Sequence, residues 1–439
     1  MPLNAQQTRH VYMWMDCEAN YARLSSADSV RYYIDKMKDA GVTDVVLDVK
    51  SIMGTVIFKS NIAPYMESWV SGTRRAPDYD LVALVIKEGH SAGLGVYASM
   101  NIFAGGHNYF RSGILFAGNT KINAWQSQVY WRNEIFPITQ MYWNYNAMLN
   151  PADPQVQDYE LSIIKEFAGK YKTIDGIIFD RMRYDDITSD FSVQSREQFE
   201  KYIGYSVKNW PHDIFCWKDD TNGISDSVKT YVSIGNIGVS GAGGISERVD
   251  VAARVKMIMS RGRADSLYIA DKQNIVPGQL YGKWLEWRAH VIKEFLSRAR
   301  KEVKDVNPVL KVGVYTGAWY ESYYNVGVNW ASEKYVPKYP WATPRYGKQG
   351  YAELLDVYMS GFYYENISDR NIRMVKDVLG GAVPLTGSIC VSIYRGNLNG
   401  FINNMNELQS CEGGVMIFDL SHIVHYGWWE PLKKALSSR

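Results

Sequence analysis

The chain has 439 residues, 46% of them hydrophobic and 21% charged, the balance of an ordinary soluble globular protein. Its formal net charge of +2 gives no electrostatic case for a nucleic-acid or anionic-membrane partner, and no apolar run reaches the roughly 18 residues of a membrane span. Cys17, Cys216, Cys390 and Cys411 are scattered without zinc or redox spacing and read as free thiols.

In chain order, the residues 10–16 (HVYMWMD) form an apolar run closing on Asp16, with Glu18 and Asn20 beyond it. Ser26–Ala40 has helical period, a Ser or Asp cap and a stop at Gly41. Val42–Lys50 is a second apolar run, ending in Asp48 and Lys50; Tyr79–Ala92 is helical, and Leu94–Asn101 is a third run. Residues 102–149 then read as short hairpins rich in aromatics. Asp153–Tyr171 is a helix opened by Pro151 and Asp153. The stretch YKTIDGIIFDRMRY, Tyr171–Tyr184, is the most telling: its apolar run stops abruptly at Asp180 and gives way to Arg181, Arg183, Asp185 and Asp186. Residues 186–282 form a second insertion, with a helix and turn over Ser195–Pro211 and a Gly-rich run, Ile234–Gly244, that lacks the Lys-Ser/Thr of a phosphate-binding loop. Lys283–Val303 is the longest helix. Val309–Trp319 runs into Tyr320 and Glu321, and Leu354–Glu365 ends in Tyr363, Tyr364 and Glu365. Asp369–Leu379 and Leu398–Ser410 are helices flanking Val383–Ser392, and Gly413–His422 closes on Asp419 and His422.

Buried parallel strands read as continuous hydrophobic runs. Eight such runs separated by helices imply βαβ units, and eight is the count of the closed (β/α)8 TIM barrel, whose catalytic groups sit at the C-terminal ends of the strands. The open doubly wound sheet loses because no Gly-x-Gly-x-x-Gly turn follows the first strand. The expectation is one α/β barrel over residues 1–439, with 102–149 and 186–282 as long insertions at its C-terminal rim. The 14 Trp, 32 Tyr and 14 Phe cluster where the βα loops fall, at Tyr109-Phe110, Tyr142-Trp143-Tyr145, Trp319-Tyr320 and elsewhere. Aromatic faces with polar edges suit sugar rings.

RHVYMWMDCEANYARL, GVTDVVLDVKSIMGTVIFKSNIAP and LNPADPQVQDYELSIIKEFAGKYKTIDGIIFDRMRY resemble the glycoside-hydrolase-like family 10 proteins of bacteria, barrels distantly similar to the α-amylase and α-galactosidase superfamilies. The likeness covers most of the chain. It implies a glycosidase without cofactor acting on a carbohydrate, in the periplasm or outside the cell, although MPLNAQQTRH carries no signal peptide. Asp180, Arg183 and Tyr184 keep the family's fourth-strand pattern, whereas Arg181 replaces its adjacent acid and Asp185 its proline.

Glycoside hydrolysis needs two carboxyl groups, about 5–5.5 Å apart for retention and about 6.5–9.5 Å for inversion. Asp180 is the expected nucleophile, kept ionised by Arg183, with Arg181 a second candidate cation. The proton donor is expected at Glu365 or Glu321, whose aromatic neighbours would raise its pKa by desolvation. Asp16, Glu18, Asp48, Lys50, Asn101, Arg183, Tyr184, Trp319, Tyr363, Asp419 and His422 are candidates for binding sugar hydroxyls. His422 and His425 lack a third ligand on their element, so no metal is assigned. Two alternatives stay open: a carbohydrate-binding barrel without chemistry, and a metal-dependent hydrolase or lyase using Asp16, Asp48 and Asp180.

Overall fold

A computed structural model describes residues 9–69, 72–76, 78–141, 144–218, 269 and 272–437. Eight parallel strands close into a ring: β1 Val11–Met15, β2 Asp44–Lys50, β3 Gly95–Asn101, β4 Gly176–Asp180, β5 Lys311–Gly317, β6 Val357–Gly361, β7 Leu385–Cys390 and β8 Gly414–Phe418. Each strand pairs with its sequence neighbours, and β1 closes on β8 through Val11 opposite Val415. The likeness to a (β/α)8 barrel read from the sequence is therefore met strand for strand.

Successive side chains on a strand point to opposite faces, and the ring sorts them into two cores. Tyr12, Trp14, Val46, Tyr97, Ile178, Tyr315, Met359 and Met416 fill the interior. Val11, Met13, Met15, Val45, Leu47, Ala98, Ile177 and Phe179 face outward into the larger core shared with the helices. Those helices are α1 Ala27–Asp39, α2 Leu81–Ser91, α3 Pro154–Lys170, α4 Tyr281–Val306, α5 Asp369–Leu379, α6 Leu398–Leu408 and α7 Trp429–Ser437. Their starts follow from local chemistry: the side chains of Ser26, Asp80 and Asp153 accept the first free amides of α1, α2 and α3, and Ser368 with Asn371 forms a capping box on α5. Between β5 and β6 the crossover consists of short helical turns, in which Tyr339 and Trp341 stack at 4.7 Å and Tyr320 is buried. Part of the aromatic surplus is thus structural.

The insertion after β3 forms two antiparallel hairpins, Ala104–His107 with Asn146–Met148 and Gln128–Trp131 with Glu134–Pro137. In the second insertion the described residues include the helix Val193–Ile203 and the pair Phe215–Trp217 with Ile275–Pro277. Tyr142, Trp143 and the Gly-rich run 234–244 lie outside the described residues.

Lys50 departs from its expected place beside Asp48. Simple alternation through 44, 46, 48 and 50 would turn it inward, but a bulge falls between Asp48 and Lys50: Asp48 opposes Ser99, while Lys50 opposes the outward-facing Met100. Lys50 therefore passes to the helix side, fully buried, pairing with Glu160 of α3 at 3.1 Å. Its ammonium also donates to the carbonyls of Asn101 and Ile102 at 2.8 Å and of Ala104 at 3.3 Å. Removing one partner of a buried pair leaves an uncompensated charge. Lys50→Met is accordingly expected to cost about 3–5 kcal/mol of unfolding free energy, read by urea titration, and adding Glu160→Leu should recover part of it. A loss below about 1 kcal/mol would mean that the pair is solvated, as surface pairs are.

Candidate active site

The inward register that holds Trp14, Val46 and Ile178 in the barrel continues, at the C-terminal ends, into Asp16, Asp48 and Asp180. The strands stop being apolar where they reach the mouth, so the ring delivers these carboxyl groups to one place. Asp419 joins them just after β8: Asn20 Nδ2 donates to its Oδ2 at 2.8 Å, and His422 Nδ1 lies 2.9 Å from its Oδ1. Glu18 completes the cluster, accepting the Ile52 amide at 3.0 Å and the Cys17 thiol at 3.2 Å.

Electrostatics separates the members. Asp16 is pushed well above the usual carboxylate range, first by burial and then by the charges of Glu18, Asp48 and Asp419, against one hydrogen bond from the Ala19 amide at 2.7 Å. Asp48 is also pushed well above that range by burial, with the Ser99 hydroxyl opposing and Glu18 and Asp180 adding to the rise. Asp180 is raised by burial too, but Arg181, its amide 2.6 Å from Oδ1, and Arg183 all act to lower it. The expectation that arginine would leave Asp180 with a depressed pKa is corrected: burial outweighs the cations. Arg183 itself donates to the carbonyls of Tyr184 and Asp185 at 2.9 and 3.1 Å.

Arg181, read in the sequence as the loss of an acid, is central. Its backbone is left-handed, φ 48°, a conformation that costs an L-residue about 1–2 kcal/mol. The side chain is fixed at two points, with Nε donating to Asn101 Oδ1 at 3.0 Å and Nη2 to the Tyr145 hydroxyl. Asn101 in turn donates to the Lys50 carbonyl at 2.9 Å. On the opposite side, the Tyr315 and Tyr363 hydroxyls are hydrogen-bonded, and Trp319 lies 5.9 Å from the Tyr363 ring. Gly317 leaves room for that indole, because a Cβ there would come within 2.3 Å of it.

Other expected residues fall elsewhere. Tyr184 is fully buried behind the mouth, its ring 4.5 Å from the Arg288 guanidinium, so it supports the barrel wall and does not line the mouth. Glu365 and Glu321 are both exposed. Glu321 acts electrostatically on Tyr335, Tyr339 and Tyr364. The desolvation expected to make either of them a proton donor is missing; burial acts on Asp16 and Asp48 instead. Ser99 and Tyr315 were open to recognition through strand alternation, whereas Tyr145 reaches Arg181 only because a hairpin returns it to the mouth. Among the described residues one group, Cys17, Glu18 and Asp48, has potential metal-ligand atoms all within 4.8 Å of one another. Burial raises the Cys17 thiol well above its usual pKa, which keeps it a hydrogen-bond donor to Glu18. Cys17 and Ile52 supply hydrogen bonds to Glu18, and Ser99 supplies one to Asp48.

The chain is 27% identical to an S-layer-related protein of Niallia circulans over 94% of its own length, which is 24% of that relative. It is 26% identical to the glycosyl hydrolase DigH of Escherichia coli strain K12 over 39% of this chain and 37% of that protein. It thus spans well under half of either relative. Among solved structures, a GH42 β-galactosidase from G. stearothermophilus matches with a TM-score of 0.54 at 10% identity, covering 98% of this chain and 56% of the other. The catalytic domain of a β-amylase from Paenibacillus polymyxa matches with a TM-score of 0.52 at 12% identity, covering 98% of both chains. These two likenesses show the barrel fold. Residues 9–339 match the sequence profile of glycosyl hydrolase-like 10, and the chain belongs to that family.

Proposed function

We propose that the chain hydrolyses O-glycosidic bonds of a poly- or oligosaccharide, with Asp180 as the ionised carboxylate and Asp16 as the proton donor. The observation that carries this reading is the contrast at the mouth: Asp180 lies among cations, while Asp16 lies among carboxylates and is raised well above the ordinary range. Carboxyl groups whose environments push their pKa values apart divide into acid and base. Family membership supports a glycosidase-like activity. Asp16 gives its proton to the leaving oxygen while Asp180 attacks the anomeric carbon or deprotonates the attacking water. After attack by Asp180 itself, water deprotonated by Asp16 displaces the sugar from Asp180 and returns the proton to Asp16; after attack by water, Asp180 releases the proton it took to solvent and Asp16 is reprotonated from solvent. In this reading His422 meets sugar hydroxyls, and Trp319 and Tyr363 meet ring faces. An exported location accompanies this reading, in keeping with the S-layer-related name of one relative.

Asp180→Asn should keep the fold and lower kcat on a hydrolysed glycan by about a thousandfold or more, each factor of ten being about 1.36 kcal/mol of activation free energy. A stable variant with full turnover would remove Asp180 from the chemistry.

Asp16→Asn separates its role by leaving group and by pH. A natural glycoside needs the proton, whereas an aryl glycoside with an activated leaving group does not. The variant should therefore lose most of its rate on the first, little on the second, and the alkaline limb of the pH–rate profile. Stability should move the other way. A carboxyl whose folded pKa is raised holds its proton where the unfolded chain has lost it, so its contribution falls as pH rises above the ordinary carboxylate range. Asparagine escapes that loss, and the unfolding midpoint of Asp16→Asn at pH 8 should exceed that of the unaltered protein. Equal impairment on both substrates, with the alkaline limb intact, assigns the proton to another group.

A further inference from the structure

One flank of the mouth carries aromatic surface that two-carboxylate chemistry does not use. His107 and Phe110 lie 4.3 Å apart between ring centroids, Trp69 and Phe110 5.6 Å, and His107 and Tyr145 6.1 Å. His107 is buried beneath, while Phe110 is 45% and Tyr145 38% exposed. The group is held in place: the Asn108 amide donates to the Tyr145 carbonyl at 2.8 Å, and the buried Asn108 side chain donates to the Ile138 and Met141 carbonyls at 3.2 Å each. It is also continuous with the acid cluster. The Tyr145 hydroxyl accepts from Arg181, whose guanidinium stands 5.2 Å from the Tyr145 ring and whose amide is bonded to Asp180.

We propose that Tyr145, Phe110 and Trp69 form a subsite for the pyranose rings of a glycan chain, leading from Asp180 outward along the first insertion. The direction rests on the hydrolase reading; the binding does not. Exposed aromatic clusters mark binding surfaces, and these rings present apolar faces together with a phenol and an indole edge, the combination that matches C–H faces bordered by hydroxyls. A protein partner fits less well, since a stable interface covers about 800 Å² on each side and fully covering one aromatic side chain hides only about 150–250 Å². Three rings, all partly covered already, fall short of that.

Native gels cast with hydroxyethyl cellulose, glycol chitin or soluble starch test the subsite, using Asp180→Asn so that the matrix is not cut. Retarded migration in at least one of them is expected. Phe110→Ala and Trp69→Ala added to that background should each weaken the retardation by about fivefold or more, from the loss of roughly 1 kcal/mol or more of stacking. Tyr32→Ala, an exposed aromatic on α1, serves as a control that should change nothing. No retardation in any gel overturns the proposal, as does retardation that Phe110→Ala and Trp69→Ala leave intact. Retardation of Asp180→Asn alongside an unaltered protein that cuts none of the three glycans would count against hydrolysis and leave the subsite standing.

Discussion

Ring closure governs this molecule. Once β1 pairs with β8, every strand has one face inside and one outside, and a residue's number decides which face it takes. The interior is filled by Trp14, Tyr97, Ile178, Tyr315 and Met359, large side chains that exclude water beneath the mouth. Asp16, Asp48 and Asp180 stand on top of that dry layer. Desolvation from below is therefore the first cause of the raised pKa at all three. What distinguishes them comes from above and from the side, where Asp180 meets Arg181 and Arg183 while Asp16 meets other carboxylates.

The same rule explains what could be read in the sequence. Parallel strands covered on both faces must be apolar throughout, so their ends show as abrupt polar stops, and Asp16, Asp48, Asn101 and Asp180 were visible for that reason. Ser26 and Asp153 were equally visible, because a free helix amide needs a nearby acceptor. Lys50 was misplaced because a bulge leaves no mark in composition, yet it reverses every later side chain on the strand. Glu365 and Glu321 were misjudged because sequence adjacency to aromatics is not burial. Tyr363 turns its hydroxyl to Tyr315 while Glu365, two residues on, faces solvent. Tyr184 looked like a mouth residue until Arg288, from the other side of the second insertion, covered it.

Asp16, Asp48 and Asp180 oppose folding: with pKa values raised by burial, each resists the charge that the unfolded chain would carry freely at neutral pH. Such local conflict is expected at functional sites and is offset by the surrounding structure. Here the offset includes Asn20 to Asp419, Ser99 to Asp48 and the Ile52 amide to Glu18, each a donor aimed at an oxygen. Hydrogen bonds to charged groups contribute about 1.5–3 kcal/mol each, enough to hold the geometry while leaving Asp16 short of donors. A carboxyl with one amide partner among three acidic neighbours is pushed well above the usual carboxylate range, the direction that general-acid chemistry calls for.

Lys50 links this site to the insertion beside it. The ammonium that pairs with Glu160 also binds the carbonyls of residues 101, 102 and 104, where the chain leaves β3 and enters the first hairpin. That hairpin returns through Asn146–Met148 and brings Tyr145 to Arg181. Arg181 reaches back to Asn101, which bonds the Lys50 carbonyl and closes the circuit. The bulge that removed Lys50 from the mouth thus fixes the loop carrying the exposed rings of Phe110 and Tyr145. A shift of that loop would move the Arg181 guanidinium, and with it the positive charge that separates Asp180 from the other carboxyl groups. The backbone irregularity at Asp48–Lys50 and the charge state of Asp180 are in this way parts of one mechanical connection, joined by hydrogen bonds through a single lysine, asparagine and arginine.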